Sequence, residues 1–554
     1  MTILPKNDEV LFLPLGGSNE IGMNLNLYGH DQKWLMVDLG ISFMDPAMPG
    51  VEVTMPDPKF IHEQRNQLLG LVLTHAHEDH IGAVPYLWPQ LECPIYATPF
   101  TASLLRNKLK EAGLEKKAKI TLINPGQKIS IGPFEIEIIH ITHSIPDSYA
   151  VILRTKLGAI LHTGDWKFDP GPVVGPVSDE KALQSLSQEN VLAVVGDSTN
   201  IYTLGHSGSE QELAQSLINI TKNFKYRIAF ACFASNVARI KTIASIAQKI
   251  GRHVVLAGKS LWRINAAARE CNYLSDMQEF LPEEEFMKLP RDRVLLICTG
   301  SQGEERSALA KIANKTHPRI FLEKDDTVIF SSRIIPGNEI VINKLHNKLV
   351  DLGINIITEK DEFVHVSGHP AQEELATMYR YVKPKALIAV HGERHHVMAH
   401  AKFALKCQIP HAIAGRNGTI IRITNESIEE DETVIHNKLG LDGTKLIPKE
   451  SKIFKERHKL LNTGAVFITM IFNQKNDLMA KPLINLPGIL IEEENVPLIE
   501  RITGNLWASL KQLSFDDRQK DIVVKDFTIS LIRSMLKDYY GKKPMIYVHL
   551  LRMS

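Results

Sequence analysis

The sequence predicts an α/β protein that contains more than one domain. Short apolar runs that end in Gly, Asp, Asn or His recur along the chain, for example at 68–75, 191–198 and 386–393, which is typical of buried strands followed by polar loops. Between 206 and 362 such runs alternate with helical segments, which indicates βαβ units and a mostly parallel sheet. A chain of 554 residues, 44% of them hydrophobic, is also too long for one ordinary domain.

The segments on either side of this region have different patterns. The first 200 residues contain shorter strands with few long helices between them, which favours a β-sandwich with helices outside it. Beyond residue 436 the chain is polar and rich in charges, and we interpret this stretch as a linker to a small final domain. That last domain is modestly basic, although the whole chain has a net charge of only +1.

The composition excludes several classes of protein. A near-neutral charge does not indicate a nucleic-acid or membrane partner for the chain as a whole, so any such surface must be local. No stretch reaches the roughly 18 consecutive apolar residues of a membrane span, and the first ten residues lack the apolar core of a secretion signal. Five cysteines without a CxxC pair argue against a thiolate zinc site or a disulfide framework. We therefore expect a cytoplasmic protein with no membrane segment.

The strongest chemical motif is THAHEDHIG at 74–82, directly after the apolar run LLGLVL. His75 and His77 alternate to one side of an extended segment, and Asp79 and His80 follow where a helix is expected to begin. Imidazole and carboxylate ligands without thiolates suit zinc or manganese, and two such clusters can hold a pair of metal ions about 3.5 to 4 Å apart. HxHxDH after a strand therefore predicts a metal site rather than a solvated polar loop.

Further metal ligands are expected at the ends of other strands. His143 follows the strand FEIEIIHI, Asp165 closes AILHTGD and His391 follows ALIAV. Each is weak evidence alone, because His and Asp are common in turns, but together with the first cluster they complete two coordination shells. Asp38, at the end of the strand KWLMVD, either orients a ligand histidine through a hydrogen bond or is an ordinary turn carboxylate.

These motifs resemble those of a known superfamily. HAHEDH, His143 and the GDWKFD context of Asp165 are similar to the metallo-β-lactamase superfamily of dinuclear metal hydrolases. Asp197 in GDSTN, His369 in HVSGHP and His391 in AVHGE resemble three motifs of the β-CASP group, its nuclease branch. Asp197 and His369 acquire a functional meaning only through this resemblance.

Within the β-CASP group the chain is similar to the ribonuclease J family. The similar segments are GGSNEIGMN at 16–24, ASNV at 234–237, TGSQGE at 299–304 and SSRIIPGNE at 331–339. The resemblance implies a metallo-β-lactamase αββα sandwich with an inserted β-CASP α/β domain and a small C-terminal α/β domain. The implied boundaries are 1–205 plus 363–440 for the sandwich, 206–362 for the insertion, 441–456 for a linker and 457–554 for the C-terminal domain.

The resemblance also implies two zinc ions per chain, with manganese as an alternative. One ion would be bound by three histidines, the second by two histidines and one carboxylate, and another carboxylate would bridge the two ions. The implied ligands are His75, His77 and His143, then Asp79, His80 and His391, with Asp165 as the bridge.

The implied activity is hydrolysis of RNA phosphodiester bonds. Enzymes of this family are 5′-to-3′ exoribonucleases that favour 5′-monophosphate ends, and also endoribonucleases, in mRNA decay and in the maturation of rRNA and other RNAs. The implied partners are single-stranded RNA, further copies of the chain in a homodimer or homotetramer, and RNA-decay proteins. His369 would be the general acid, kept charged by Asp197, and Asp79 would act as a catalytic residue besides binding metal.

The family further implies a pocket that holds the 5′ phosphate. The matching positions are Ser235, Asn236, His365, Ser367, Gly368 and His369. Ser and Gly are also ordinary turn formers, so the residues alone leave both interpretations open. Two positions depart from the family pattern: Ala238 stands where His is usual before Arg239, and Lys259 stands where Arg is usual. Lys offers a point charge instead of a bidentate fork, so phosphate contacts there are expected to differ.

Other functions fit parts of the pattern. Small-ester and thioester hydrolases use the same metal core, and DNA remains a possible substrate because contacts to the 2′-OH are not visible in a sequence. A scaffold that binds RNA or a nuclease without cutting is a third alternative, against which the complete set of ligands argues.

Overall fold

The structure is a computed structural model that describes residues 3–43, 45–489 and 492–553. It divides into two compact units. The first contains Met1–Phe43 and Val53–Leu439, and the second contains Met44–Glu52 and Gly440–Ser554.

Two large sheets form the core of the first unit. In spatial order the first sheet has strands Ile428–Thr433, Thr419–Ile423, Val10–Gly16, Leu25–His30, Lys33–Val37, Leu68–Val72, Ile95–Ala97 and Ile120–Leu122. The second has strands Lys128–Ile131, Phe134–His140, Tyr149–Thr155, Gly158–His162, Val191–Asp197, Ala386–Val390 and His411–Ala414. Both sheets are mixed, with antiparallel hairpins on one side and parallel strands on the other.

The two sheets pack face to face: their central strands are apolar on both faces, and every second side chain points into the contact between the sheets. Phe12, Val37 and Val72 of the first sheet belong to one buried cluster with Val151 and Val195 of the second. Such two-residue periodicity directs one set of side chains into the shared core and the other set outward.

The outward sets are covered by helices. On the second sheet, Leu161 and Leu387 pack with Leu375 and Val397 of two helices. On the first sheet, the ring of Trp34 packs edge-on against Phe60 of helix Lys59–His62, with centroids 5.5 Å apart. This is the predicted αββα sandwich, and strands after residue 386 complete both sheets.

A third sheet lies within 206–362. Its strands, in spatial order, are His253–Ala257, Val294–Cys298, Ile228–Ala231, Thr327–Phe330 and Asn355–Ile357. Every pairing is parallel, as the alternation of strands and helices predicts. Two short paired segments, Ser18–Asn19 with Gly392–Glu393 and Ser42–Phe43 with Val53–Pro56, complete the strands of this unit.

The helices of the first unit follow the order of the chain. They are Lys59–His62, Glu78–Ile81, Val84–Leu91, Pro99–Glu111, Glu180–Ser185, Glu210–Thr221, Val237–Lys249, Lys259–Glu270, Ala308–Ala313, Glu339–Asp351, Gln372–Val382 and Arg394–Lys406. Short 3₁₀ turns occupy Arg65–Gln67, Leu186–Gln188, Glu283–Glu285 and Arg291–Arg293. Among the described residues, no helix combines the length and the apolarity that crossing a membrane requires.

The second unit has its own core. Strands Leu483–Asn485, Ala465–Phe472 and Met545–Arg552 form one sheet, and its helices are Lys452–Thr463, Glu492–Lys511, Phe515–Arg518 and Asp521–Tyr540. Ile468 and Phe472 of the central strand are buried together with Ile502 and Ile532 of the two long helices. The segment 441–456, which the sequence predicts to be a linker, contains the end of strand Lys438–Asp442, all of Lys445–Pro448 and the start of the first helix. Phe454 in that helix is buried with Met48 and Val51.

Candidate metal centre and substrate pocket

The motif at 74–82 forms the turn that its residue pattern predicts. Strand Leu68–Val72 ends just before it, and His77, with an extended backbone, is the residue that precedes helix Glu78–Ile81. The extended part therefore directs His75 and His77 to the same end of the sheet, and the first helical turn brings Asp79 and His80 beside them.

The structure brings all seven predicted metal ligands together in two sets that share one carboxylate. Within each set the ligand atoms lie within 4.8 Å of one another. The sets are His75, His77, His143 and Asp165, and Asp79, His80, Asp165 and His391. Each of these residues follows the end of a strand in one of the two packed sheets, so the sandwich gathers them at one edge.

Asp165 lies at the centre of both sets. Its Oδ2 is 3.3 Å from Nε2 of His80, 3.4 Å from Nε2 of His391 and 3.9 Å from Nε2 of His75. Its Oδ1 is buried and has no hydrogen-bond partner among the described residues. A buried carboxylate oxygen without a donor is costly, and a cation between the two sets would satisfy it.

The spacing of the histidine nitrogens also fits a metal ion. Nδ1 of His77 is 3.1 Å from Nε2 of His75 and 3.1 Å from Nε2 of His143. Nitrogen ligands at about 2.0 to 2.1 Å from a tetrahedral zinc ion are about 3.4 Å apart, so the three nitrogens are close to the required separation. This donor set contains no thiolate and suits zinc or manganese.

The charge state of these histidines suits metal binding as well. Burial lowers the pKa of His75 and of His143 well below the usual value, and it lowers the pKa of His77 to about 4. These rings are therefore neutral at pH 7, which is the form that ligates a metal. At His80 burial opposes charge, but Asp165, Asp79 and Asp38 raise its pKa well above the usual value. The same negative field attracts a metal ion.

Hydrogen bonds on the opposite ring nitrogens fix the ligands. Nδ1 of His80 donates to Asp38 Oδ2 at 2.7 Å, and Thr74 donates to both carboxylate oxygens of Asp38 through its N–H and its hydroxyl, each at 2.8 Å. The other ring nitrogen of His80 is thereby left to face Asp165. Asp38 is fully buried with a left-handed backbone (φ 63°), so the structure places it in the orienting position that was one of its two expected roles.

Two further predicted ligands are held by groups for which the sequence predicts no such role. Nδ1 of His391 is 3.1 Å from Oδ1 of Asn24, and Nδ1 of His143 donates to the carbonyl oxygen of Gly368 at 2.6 Å. Asn24 lies in the segment 16–24 that resembles the family, which was the available signal. A backbone carbonyl such as that of Gly368 leaves no trace in residue type.

His369 lies beside both sets of ligands and is paired with Asp197. Its Nδ1 is 2.7 Å from Oδ2 of Asp197, which is fully buried at the end of strand Val191–Asp197. Burial opposes charge on His369, but Asp197, with Asp165 and Asp79, raises its pKa to about 9. Its ring centroid is 5.2 Å from that of His143 and 5.8 Å from that of His391. The arrangement can therefore deliver a proton next to the ligand cluster.

The predicted phosphate-pocket residues divide into two groups. Several already serve the fold: the side chain of Asn236 caps helix Val237–Lys249, and Ser367 Oγ accepts a hydrogen bond from the N–H of His369. At Gly368 a Cβ atom would lie 2.8 Å from Cε1 of His143, so only glycine permits this approach. Ser235 is half-buried directly before Asn236.

His365 is the pocket residue with an unused polar atom. Its Nδ1 is buried and has no hydrogen-bond partner among the described residues. Burial and the positive charges of Arg239, Arg333 and Lys167 lower its pKa well below the usual value. Lys167 is paired with Asp169 at 3.0 Å, so the charge that these cations offer to an anion is partly neutralised. No sequence motif predicts their place beside His365.

The two departures from the family pattern lie in different surroundings. Ala238 is buried beside Arg239, whose guanidinium is fully buried and paired with Glu210 at 2.9 Å. Arg239 is thus held in a buried ion pair as well as contributing to the field at His365. Lys259 is exposed and begins helix Lys259–Glu270.

Comparison with family models finds matches along most of the chain. Residues 24–220 match the metallo-β-lactamase superfamily, and residues 225–349 match the β-CASP domain of ribonuclease J. Residues 353–410 match a model described as a Zn-dependent metallo-hydrolase RNA specificity domain, and residues 452–553 match the ribonuclease J C-terminal domain.

Similar proteins have matching length. The chain is 39% identical to ribonuclease J of Sinorhizobium meliloti over 552 residues, which cover 98% of each chain. It is 33% identical to ribonuclease J of Thermus thermophilus, with 97% of this chain and 94% of that one covered. It is 31% identical to ribonuclease J2 of Bacillus subtilis, with 98% of each chain covered.

Proposed function

This chain belongs to the ribonuclease J family and is a metal-dependent ribonuclease, and we propose a more specific activity on that basis. The enzyme would degrade single-stranded RNA from the 5′ end with a preference for 5′-monophosphate ends, and it would also cut RNA internally. Its roles would be mRNA decay and the maturation of rRNA and other RNAs. The observation that carries this proposal is the pair of ligand sets that share Asp165, with the His369–Asp197 pair beside them.

We further propose that the cofactor is two zinc ions, with manganese as the alternative. The first set of three histidines would hold one ion, and Asp79, His80 and His391 the other, with Asp165 between them. When bound, such ions supply a nucleophilic hydroxide at neutral pH and neutralise charge on the scissile phosphate.

The chain's own residues supply the remaining chemistry. His369 is proposed as the general acid, because a leaving 3′ oxygen needs a proton and the pKa of this imidazole is raised to about 9 beside Asp197. Asp197 accepts the Nδ1 proton of His369, which leaves Nε2 to donate. Thr199 donates its N–H to the other oxygen of Asp197 at 2.9 Å, so the carboxylate has a fixed orientation.

The 5′-phosphate pocket is proposed around His365, with Ser235, Asn236, Ser367, Gly368 and His369. The supporting observations are the unpartnered Nδ1 of His365 and the positive field of Arg239, Arg333 and Lys167. A terminal phosphate there would place the first phosphodiester within reach of the metal centre, because Gly368 and His369 are shared by the pocket and the centre. This supports stepwise cleavage from the 5′ end.

The wider setting is proposed on the same basis. The domains would be 1–205 with 363–440, 206–362 and 457–554. The enzyme would act in the cytoplasm as a homodimer or homotetramer, together with RNA-decay partners.

Digestion of end-labelled RNA tests the proposed function. Matched RNAs with a 5′ monophosphate, a 5′ triphosphate or a 5′ hydroxyl are incubated with the metal-loaded enzyme, and a DNA of the same sequence is the control. We expect mononucleotides to be released first from the monophosphorylated RNA, with slower internal cleavage of the others. Equal rates on monophosphate and triphosphate ends would contradict the end preference, and equal cleavage of DNA would contradict the substrate class. Elemental analysis of the active enzyme identifies and counts the metal ions.

A further inference from the structure

Three aromatic rings form an exposed face next to the metal centre. Tyr202 is 58% exposed, and its ring is stacked on that of His395 at an interplanar angle of 16° with centroids 5.7 Å apart. The ring of His396 lies 5.5 Å from Tyr202 and 4.0 Å from His395, measured between centroids. We call Tyr202, His395 and His396 the Tyr202 platform. An exposed tyrosine of this kind leaves a large flat apolar surface in water, which favours a ligand that covers it.

The platform is held in place by hydrogen bonds. The hydroxyl of Tyr202 donates to the carbonyl oxygen of His395 at 3.1 Å, which ties the loop to the first turn of helix Arg394–Lys406. Gln372 donates through its side chain to the carbonyl of Ile201 at 2.8 Å and through its backbone to the carbonyl of Thr203 at 3.0 Å. Both neighbours of Tyr202 are thus fixed. A ring that is already ordered loses little entropy when it binds a ligand.

The loop that carries the platform also contacts the metal centre. Thr199 Oγ1 donates to the carbonyl oxygen of the ligand His391 at 3.1 Å. Asn200 donates to the carbonyl oxygen of His369 at 3.3 Å and accepts a hydrogen bond from Arg333 at 3.2 Å. Tyr202 follows two residues later. The platform therefore lies close to the residues proposed to act on the scissile phosphate, and it uses none of the residues of the 5′-phosphate pocket.

The chemistry of the three rings favours a flat aromatic ligand. Burial and the neighbouring His395 lower the pKa of His396, so that this imidazole is uncharged at neutral pH and presents a π-face instead of a cation. Bases of single-stranded nucleic acid stack on such rings without regard to sequence, because every base has a π-face. An RNA strand on the metal centre carries a base on every nucleotide next to the reacting phosphate.

We propose that the Tyr202 platform is a base-stacking subsite, which binds one nucleobase of the single-stranded RNA held at the metal centre. This inference rests on the proposed ribonuclease function and adds to it a contact made by a base, where the pocket around His365 contacts a phosphate. The stacked base fixes the strand near the scissile bond, so its loss weakens substrate binding more than it slows the chemical step.

The test combines protein variants with modified substrates. KM and kcat are measured for the metal-loaded full chain on 5′-monophosphorylated RNA oligonucleotides that carry a single abasic site at successive positions. Tyr202→Ala is compared with Tyr202→Phe, which keeps the ring. Leu204→Ala is the matched control, because Leu204 is 77% exposed in the same loop and has no π-system.

We expect Tyr202→Ala to raise KM on unmodified RNA by about 5- to 150-fold. Tyr202→Phe should have a smaller effect, and Leu204→Ala should behave as the unaltered enzyme does. In the unaltered enzyme an abasic site at one position should raise KM to a similar extent, and in Tyr202→Ala the same abasic site should have no further effect. Such non-additivity is the signature of a direct contact between the ring and that base.

The outcomes separate this inference from the proposed function. If the unaltered enzyme cleaves RNA but KM is the same for Tyr202→Ala, the platform is not a base subsite while the ribonuclease function stands. An unchanged KM with an altered sedimentation coefficient would assign the face to contact between two copies of the chain, which also overturns the inference. The KM of Tyr202→Ala is also compared with that of the unaltered enzyme on each substrate. If this ratio is the same for unmodified RNA and for every abasic RNA, the ring does not contact a base. Failure of the unaltered enzyme to cleave RNA refutes the proposed function and the subsite together.

Discussion

The metal centre and the proposed phosphate pocket share Gly368 and His369, yet they are built differently. In the metal centre seven side chains converge, and four of the five histidines have one ring nitrogen hydrogen-bonded and the other directed at Asp165 or a fellow ligand. In the pocket, Asn236 and Ser367 form hydrogen bonds that support the fold, and the positive field comes from cations outside the predicted set. The metal centre therefore depends on the residue types of its side chains. The pocket depends instead on its backbone conformation and on charged residues around it. Substitutions should accordingly have large effects in the centre and graded effects in the pocket.

The largest effect is expected at the shared carboxylate. Asp165→Asn removes the negative charge at which both ligand sets meet, so metal content and RNA cleavage should both fall below detection. Elemental analysis and an RNase assay measure the two quantities, and Asp351→Asn at the exposed end of helix Glu339–Asp351 is the control. Full metal occupancy in Asp165→Asn would show that the centre does not depend on this carboxylate.

Loss of the proposed acid should separate chemistry from metal binding. His369→Ala removes the proton donor without removing a member of the two ligand sets, so kcat should fall by about 10²- to 10⁴-fold while metal content is unchanged. Both are measured on the same preparation. Retained activity would exclude His369 from the proton transfer, and lost metal would assign it to the centre as a ligand.

The hydrogen bond between His80 and Asp38 should support metal affinity. Asp38→Asn weakens the acceptor that orients His80, and metal affinity should fall by about 10- to 100-fold. Competition with a chelator measures the affinity, and circular dichroism checks that the fold is retained. An unchanged affinity would return Asp38 to the role of a turn carboxylate.

Asp197 should tune the pH dependence through His369. It is the chief group that raises the pKa of His369 to about 9, so the charged, proton-donating form persists up to that pH. Asp197→Asn removes this negative charge, the pKa falls, and the alkaline limb of the kcat profile should move to lower pH. The profile of kcat between pH 6 and pH 10 measures the shift. An unmoved alkaline limb would mean that another group titrates there.

The smallest effect is expected in the pocket. His365→Ala removes one neutral imidazole and leaves Arg239, Arg333 and Lys167 in place, so the preference for 5′-monophosphate over 5′-hydroxyl RNA should fall by about 10-fold. Hydrolysis of a small phosphodiester without a terminal phosphate should be unaffected in the same variant. A loss on both substrates would show that His365 belongs to the centre and would remove the distinction between the two regions.

Local pattern was enough to predict much of this molecule. Short apolar runs that end in polar residues predict the buried strands, and alternating strands and helices predict the parallel sheet within 206–362. The predicted ligands His75, His77, Asp79 and His80 are close in sequence because one strand end and one helical turn carry all four. Their residue types are also rare enough in this spacing to indicate a metal.

Tertiary structure alone decided the rest. Asn24 and the carbonyl of Gly368 orient predicted ligands from distant positions, and Arg333 and Lys167 act on His365 through charge that no spacing reveals. The segment 441–456 is polar by composition and mostly exposed, yet it contains regular strand and helix, and its Phe454 is buried with Met48 and Val51. Short-range periodicity and residue chemistry therefore predict which elements form and which side chains are suited to bind a metal. The groups that hold His143 and His391 lie 225 and 367 positions away from them, and only the folded chain brings these residues together.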